Sequence, residues 1–179
     1  MKTYEELEKT LGALRVEIKG PEGEKAAAAS KAVREVLDSS PVAASCYFVR
    51  QPSPLEAPRR FDCDRCRKKP LFIPADMKKA AEDSARCAGI IGKSGIPVEA
   101  DLSAFCPECN PGGFSGTIKL TVTRPDGSRK DFDIGFSDLR LLCAFVSGEK
   151  IVAEDYACRA ENEIKSKILN ILKIIYSAG

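Results

Sequence analysis

The sequence predicts an α+β fold, with helices at both ends, an antiparallel hairpin-containing sheet between them, and a cysteine-built element in the middle. Two observations carry this. Apolar residues recur at helical spacing near the start, alternate strictly around residues 117–135, and return to helical spacing near the end. Two Cys-x-x-Cys pairs, Cys63–Cys66 and Cys106–Cys109, bracket the centre of the chain. The length of 179 residues suits one compact domain. Along the chain it divides into N-terminal helices and a strand (1–58), a four-cysteine metal-binding element with an inserted helix (59–112), and a β-hairpin with C-terminal helices (113–179).

Residues 3–19 carry Tyr4, Leu7, Leu11, Leu14 and Ile18 on one helical face, and Thr3 with Glu6 forms a capping box. Gly20-Pro21 is the expected stop. An alanine-rich stretch, 22–38, reads as a second helix, so the first forty residues predict a helical hairpin. Residues 42–50 read as a strand. Pro52, Pro54 and Pro58 then exclude a helix or central strand from 51–60 and make a semi-rigid connector.

Residues 75–88 read as a short helix inserted between the cysteine pairs, followed by a glycine-rich turn, GIIGKSGIP, and a short extended run over 98–105. TIKLTVT and SRKDFDIGF alternate by period two around the turn RPDG, which predicts a β-hairpin. Ser137 is placed to cap the helix DLRLLCAFV, which stops at Gly148. The last helix lies within 151–176, starting near Glu154, with Ile164, Ile168, Leu172 and Ile175 as its stripe. Such a stripe packs on its own domain or serves as a homodimer contact.

The chain has eight cysteines and no histidine, with a net charge of +2. The start, MKTYEELEKTLG, has no apolar run behind its first lysine, and the greasy end KILNILKIIYSAG is too short and too interrupted to span a bilayer. The expectation is a cytoplasmic protein with no membrane contact. A reducing compartment keeps thiols free and favours metal ligation over disulfides. Cys46, Cys87, Cys143 and Cys158 sit among apolar or helix-forming neighbours and read as small buried hydrophobes.

Zinc takes four tetrahedral ligands and accepts thiolates well. One Cys-x-x-Cys turn supplies half a site, so Cys63, Cys66, Cys106 and Cys109 together predict one shared ion. The long intervening segment is no obstacle, because closure entropy grows only logarithmically with loop length. Arg59, Arg60, Arg65, Arg67, Lys68 and Lys69 surround the first pair and offset the excess charge of a tetrathiolate. The second pair, CPEC, resembles the second knuckle of rubredoxin and of many zinc ribbons. The resemblance covers these few residues, and it implies zinc or iron in a tetrahedral sulfur site. CDRC departs from rubredoxin, since Arg67 and Lys68 follow where its glycine would stand. Zinc is therefore the expected ion and iron the alternative. A dithiol redox centre needs its pair at a helix start after a strand, and Pro111 with the glycines after it breaks any helix there.

Four thiolates close the coordination shell and leave no open position for a substrate water. Without histidine, imidazole bases and Cys–His or Ser–His pairs are excluded. Asp131 and Asp133 share one strand face beside Arg129 and read as solvent-facing. GIIGKSG ends like a phosphate-binding loop, but Cys87 stands where the first glycine belongs. No catalytic residues are assigned. The reading is a zinc-binding interaction protein that takes nucleic acid or a partner protein, with a structural metal. Its warrant is the basic run at 59–69, with Phe61 and Phe72 nearby, which could stack on bases if exposed. The alternatives are a small-ligand-sensing or enzymatic α+β domain, with the GGFSG loop and the hairpin lining a pocket, and an iron-bearing or dithiol redox protein.

Overall fold

A computed structural model describes residues 2–18, 57–67, 69–124 and 126–176. The first helix, α1 (Tyr4–Gly12), opens on the expected capping box: Thr3 Oγ1 accepts from the Glu6 amide at 3.2 Å, and the Thr3 amide donates to Glu6 Oε2 at 3.0 Å. It stops well before residue 19. After Leu14 the chain turns extended, and β1 (Val16–Glu17) pairs in parallel with β7 (Ile151–Val152). β-Branched Val16 packs there as a strand residue. The second arm of the expected helical hairpin and the strand at 42–50 lie outside the described residues, so no helical hairpin stands among those described.

A short antiparallel hairpin follows, β2 (Arg59–Phe61) with β3 (Leu71–Ile73), in the register Arg59↔Ile73, Arg60↔Phe72 and Phe61↔Leu71. The connector therefore gives way to a strand at Arg59 rather than after Arg60. The inserted helix, α2, spans Ala75–Lys93, longer than the expected 75–88. Gly89 and Gly92 do not break it, because Cys87, Ala88 and Ile91 are buried and hold that stretch helical by packing. Its end closes at Ser94, whose hydroxyl donates to the Ile91 carbonyl at 2.7 Å. Gly95 follows at φ 103°, and a Cβ there would stand 2.9 Å from the Lys2 nitrogen, so this close crossing of the N-terminal segment needs glycine. The Gly-Lys-Ser stretch is thus a helix terminus.

The main sheet is antiparallel, in the order β4 (Val98–Asp101), β5 (Thr117–Thr123), β6 (Arg129–Gly135). A 3₁₀ turn (Leu102–Phe105) ends β4. Ile118, Leu120, Val122 and Ile134 point to the buried face. Lys119, Arg129, Asp131 and Asp133 line the other, where Asp131 accepts from Thr121 Oγ1 at 2.7 Å and Arg129 pairs with Glu99.

Helix α3 (Phe136–Ser147) starts directly from β6, with Gly135 as its cap, so Ser137 lies inside the first turn. Leu139, Leu141, Leu142, Cys143 and Phe145 are all buried, the pattern of a helix covered on most sides. Gly148, at φ 71°, ends it, with the Glu149 amide donating back to the Ala144 carbonyl at 3.0 Å. Where α3 crosses α2, Cys143 meets Cys87; burial first, and then the facing thiol, pushes Cys143 up to about 12. The C-terminal helix α4 (Glu161–Tyr176) begins seven residues beyond the expected Glu154, after a 3₁₀ turn over Ala153–Tyr156 and a left-handed Ala157 at φ 56°. Its stripe of Ile164, Ile168, Leu172 and Ile175 is buried within its own chain, against elements that include α1 and α3. The residues that raised a homodimer contact are thus taken up by the fold. Among the described residues no helix is long and apolar enough to cross a membrane.

Candidate metal centre

The loop of the β2–β3 hairpin carries Cys63 and Cys66. The turn after the 3₁₀ segment at 102–105 carries Cys106 and Cys109. The structure brings the four Sγ atoms together, all within 4.8 Å of one another. Cys63 Sγ lies 3.7 Å from Cys109 Sγ, and Cys66 Sγ lies 3.8 Å from Cys106 Sγ. Four thiolates around one tetrahedral zinc sit about 3.8 Å apart at the usual zinc–sulfur distance. The cluster is therefore of the right size to coordinate a metal ion. Tetrahedral iron has the same ligand preference, so the geometry serves either.

The two turns share a backbone motif. The Arg67 amide donates to the Cys63 carbonyl at 3.0 Å, and the Asn110 amide donates to the Cys106 carbonyl at 2.8 Å. In each turn the residue after the second cysteine closes back on the first. Arg67 does so at φ 44°, in the left-handed region where a knuckle glycine would sit. The missing glycine thus changes the cost and not the shape; an L-residue there costs about 1–2 kcal/mol. The second turn is held from outside as well: the Asn110 amide side chain donates to the Ala104 carbonyl at 2.9 Å and to the Gly113 carbonyl at 2.6 Å.

Cys63 and Cys106 are buried, while Cys66 and Cys109 reach the surface in part. Crowding four thiols disfavours ionisation. Desolvation, with the hydrogen bonds the Cys109 thiol makes to the sulfurs of Cys63, Cys106 and Cys66, pushes Cys109 up to about 12. Desolvation also raises Cys63. A bound dication inverts this and holds the same sulfurs as thiolates.

The expected basic rim is only partly a rim. Arg65, between the first two cysteines, lies 3.6 Å from Asp101, which precedes the second turn, so this pair ties the two halves of the site. Burial raises the Asp101 carboxyl, but hydrogen bonds from Ser103 and the charges of Arg65 and Lys119 outweigh it and hold it below the ordinary value. Arg60 turns back to Asp62 at 3.3 Å. Arg59, Arg67 and Lys69 have no carboxylate partner among the described residues, and Lys68 lies outside them. Of the two aromatics that could stack on bases if exposed, Phe61 is buried at 2% exposure, whereas Phe72 stands 71% exposed. Strand alternation explains the split: Phe61 shares the inner face of the hairpin with Ile73, and Phe72 shares the outer face with Arg60.

Two lysines that the sequence did not single out join the basic group. Lys78 and Lys79, in the first turns of α2, line an open cleft of about 610 Å³ together with Arg59 and Arg60. The GGFSG loop runs from the second cysteine turn into β5. Its Phe114 ring packs 4.3 Å from Phe105 and 6.4 Å from Phe136, which roots the loop in the core. The chain matches no family model, no curated protein and no solved structure.

Proposed function

We propose that Cys63, Cys66, Cys106 and Cys109 hold one structural zinc ion, and that the protein is an interaction module whose partner is nucleic acid. The observation that carries the first part is the mutual approach of the four sulfurs within 4.8 Å, from turns separated by an entire helix. A closed shell of four thiolates has no site for a substrate water, which favours a structural over a catalytic ion. Thiol ligation suits a reducing, cytoplasmic setting. The second part rests on cations beside the cysteine turns that have no carboxylate partner among the described residues, and on an exposed aromatic near them. Purified protein is expected to carry about one zinc per chain by elemental analysis. Cys109→Ser is expected to lose it, and Cys143→Ser to keep it. Full zinc in the Cys109 variant defeats the shared site, and a red, iron-loaded protein replaces zinc with iron. No oligonucleotide binding at ~50 μM protein in low salt removes nucleic acid as partner and leaves a partner protein.

A further inference from the structure

We propose that the cleft between β2 and α2 is the contact surface for single-stranded nucleic acid, with Phe72 as a stacking platform at its edge; this rests on the nucleic-acid reading above. Arg59 and Arg60 supply one wall and Lys78 and Lys79 the other. Against these four cations stand Glu82, 3.6 Å from Lys78, and Asp62, 3.3 Å from Arg60. Arg59 and Lys79 are left without a carboxylate partner among the described residues. The Arg60–Asp62 pair is exposed, and pairs of that kind hold by only about 0–1 kcal/mol, so a phosphate can take Arg60; Lys78 is half-buried beside Glu82. The cleft is open and five of its six lining residues are charged, which suits a backbone laid along it rather than an enclosed small molecule.

The strand register supplies the link from charge to base. Arg60 both lines the cleft and stands directly across from Phe72. Facing pairs in an antiparallel ladder have Cβ atoms about 5 Å apart. A phosphate on Arg60 therefore sets its base beside an aromatic ring that is 71% exposed. Only an unpaired base can turn to stack on such a ring, which selects a single strand over a duplex. Lys78 is held in place from below, its Nζ 5.7 Å from the centre of the buried Phe61 ring. The hairpin is fixed in turn by the cysteine turn at its tip. Cysteine cluster, hairpin and cleft thus form one continuous support.

The test uses the full chain and a labelled, mixed-sequence single strand of ~12 nucleotides, as RNA and as DNA, with the matching duplex, followed by anisotropy between ~50 and ~200 mM salt. The parent protein is expected to bind the single strand more tightly than the duplex. Arg59→Gln/Lys78→Gln/Lys79→Gln is expected to weaken binding at least 10-fold at low salt and to flatten the log–log salt dependence by about 2. Phe72→Ala is expected to weaken single-strand binding about 5- to 100-fold and to leave the salt slope as it was. Circular dichroism and metal content are to match the parent in both variants, since these side chains lie on the surface or in the cleft wall. Parent-like binding by the triple variant, with loss in Arg67→Gln/Lys69→Gln, moves the contact to the cysteine turn and overturns the cleft while sparing the nucleic-acid reading. Equal affinity for duplex and single strand, parent-like binding by Phe72→Ala, or equal competition by polyglutamate overturns the single-strand assignment. A metal-loaded parent that binds no oligonucleotide overturns both.

Discussion

Helix α3 and the two cysteine turns belong to one chain but hold their shapes by different means. α3 buries Leu139, Leu141, Leu142 and Phe145, and each such side chain stabilises the fold by about 1.5–3 kcal/mol when removed from water. In the turns 62–70 and 106–116, the only buried residues among those described are Cys63 and Cys106 themselves. Segments that bury so little cannot offset the entropy of ordering their own backbone. The helical half is thus expected to stand on packing alone. The turns need a cross-link, and the four sulfurs are placed to accept one.

The largest expected effect breaks the turns and spares the helices. Cys106→Ser, or a strong chelator, is expected to abolish metal binding and strip amide protection from 59–73 and 101–116, since structural zinc supplies on the order of 10 kcal/mol of coupled folding energy. Hydrogen exchange read by mass spectrometry checks this, and loss of protection in α3 and α4 to the same degree would dissolve the contrast. The reverse experiment is Leu142→Ala. It is expected to lower global stability by about 2–5 kcal/mol while metal stoichiometry stays intact, measured by denaturant unfolding beside elemental analysis.

Asn110→Ala sharpens the comparison from inside the second turn. It deletes the hydrogen bonds to the carbonyls of Ala104 and Gly113, and it is expected to weaken metal retention about 10-fold in a chelator competition. The smallest effect falls on the helical side. Glu161 accepts from Lys165 Nζ at 2.7 Å and from the Val16 amide at 3.4 Å, and these contacts hold its carboxyl below the ordinary value. A depressed folded-state value means that its stabilisation is present above the unfolded value of about 4 and fades as pH falls through the lower folded one. Glu161→Gln is therefore expected to lower Tm slightly at pH 7, with the difference vanishing in acid.

What could be read from the sequence follows the same division between local and long-range causes. The Thr3–Glu6 box, the hairpin around residues 123–129 and the stripe on α4 are set by neighbours within a turn or a strand pair, and each stands in the structure where the pattern put it. The cysteine cluster was legible because thiolate spacing is a chemical signal that does not need the intervening fold. The short strands β1, β2, β3 and β7, of two or three residues each, are too brief to show a period. The last turns of α2 looked like a loop because Gly89 and Gly92 weaken helix propensity, and only the burial of Ile91 and Cys87 reverses that. Lys78 and Lys79 carried no mark either. Only the packing of α2 on the hairpin brings them to Arg59 and Arg60.

The insertion of α2 between the two cysteine turns has a mechanical consequence. With an ion on the sulfurs, the chain from Cys63 to Cys109, 46 positions apart, becomes a closed ring fastened at one point. Tension applied to the two ends of the protein would run across the clasp and bypass the ring. The enclosed segment, roughly 150 Å when extended, would stay hidden from a pulling force until the metal–thiolate bonds break. It would then appear as one late jump in length. Stretching single molecules with and without chelator would reveal that step, and its absence in chelator would identify the clasp.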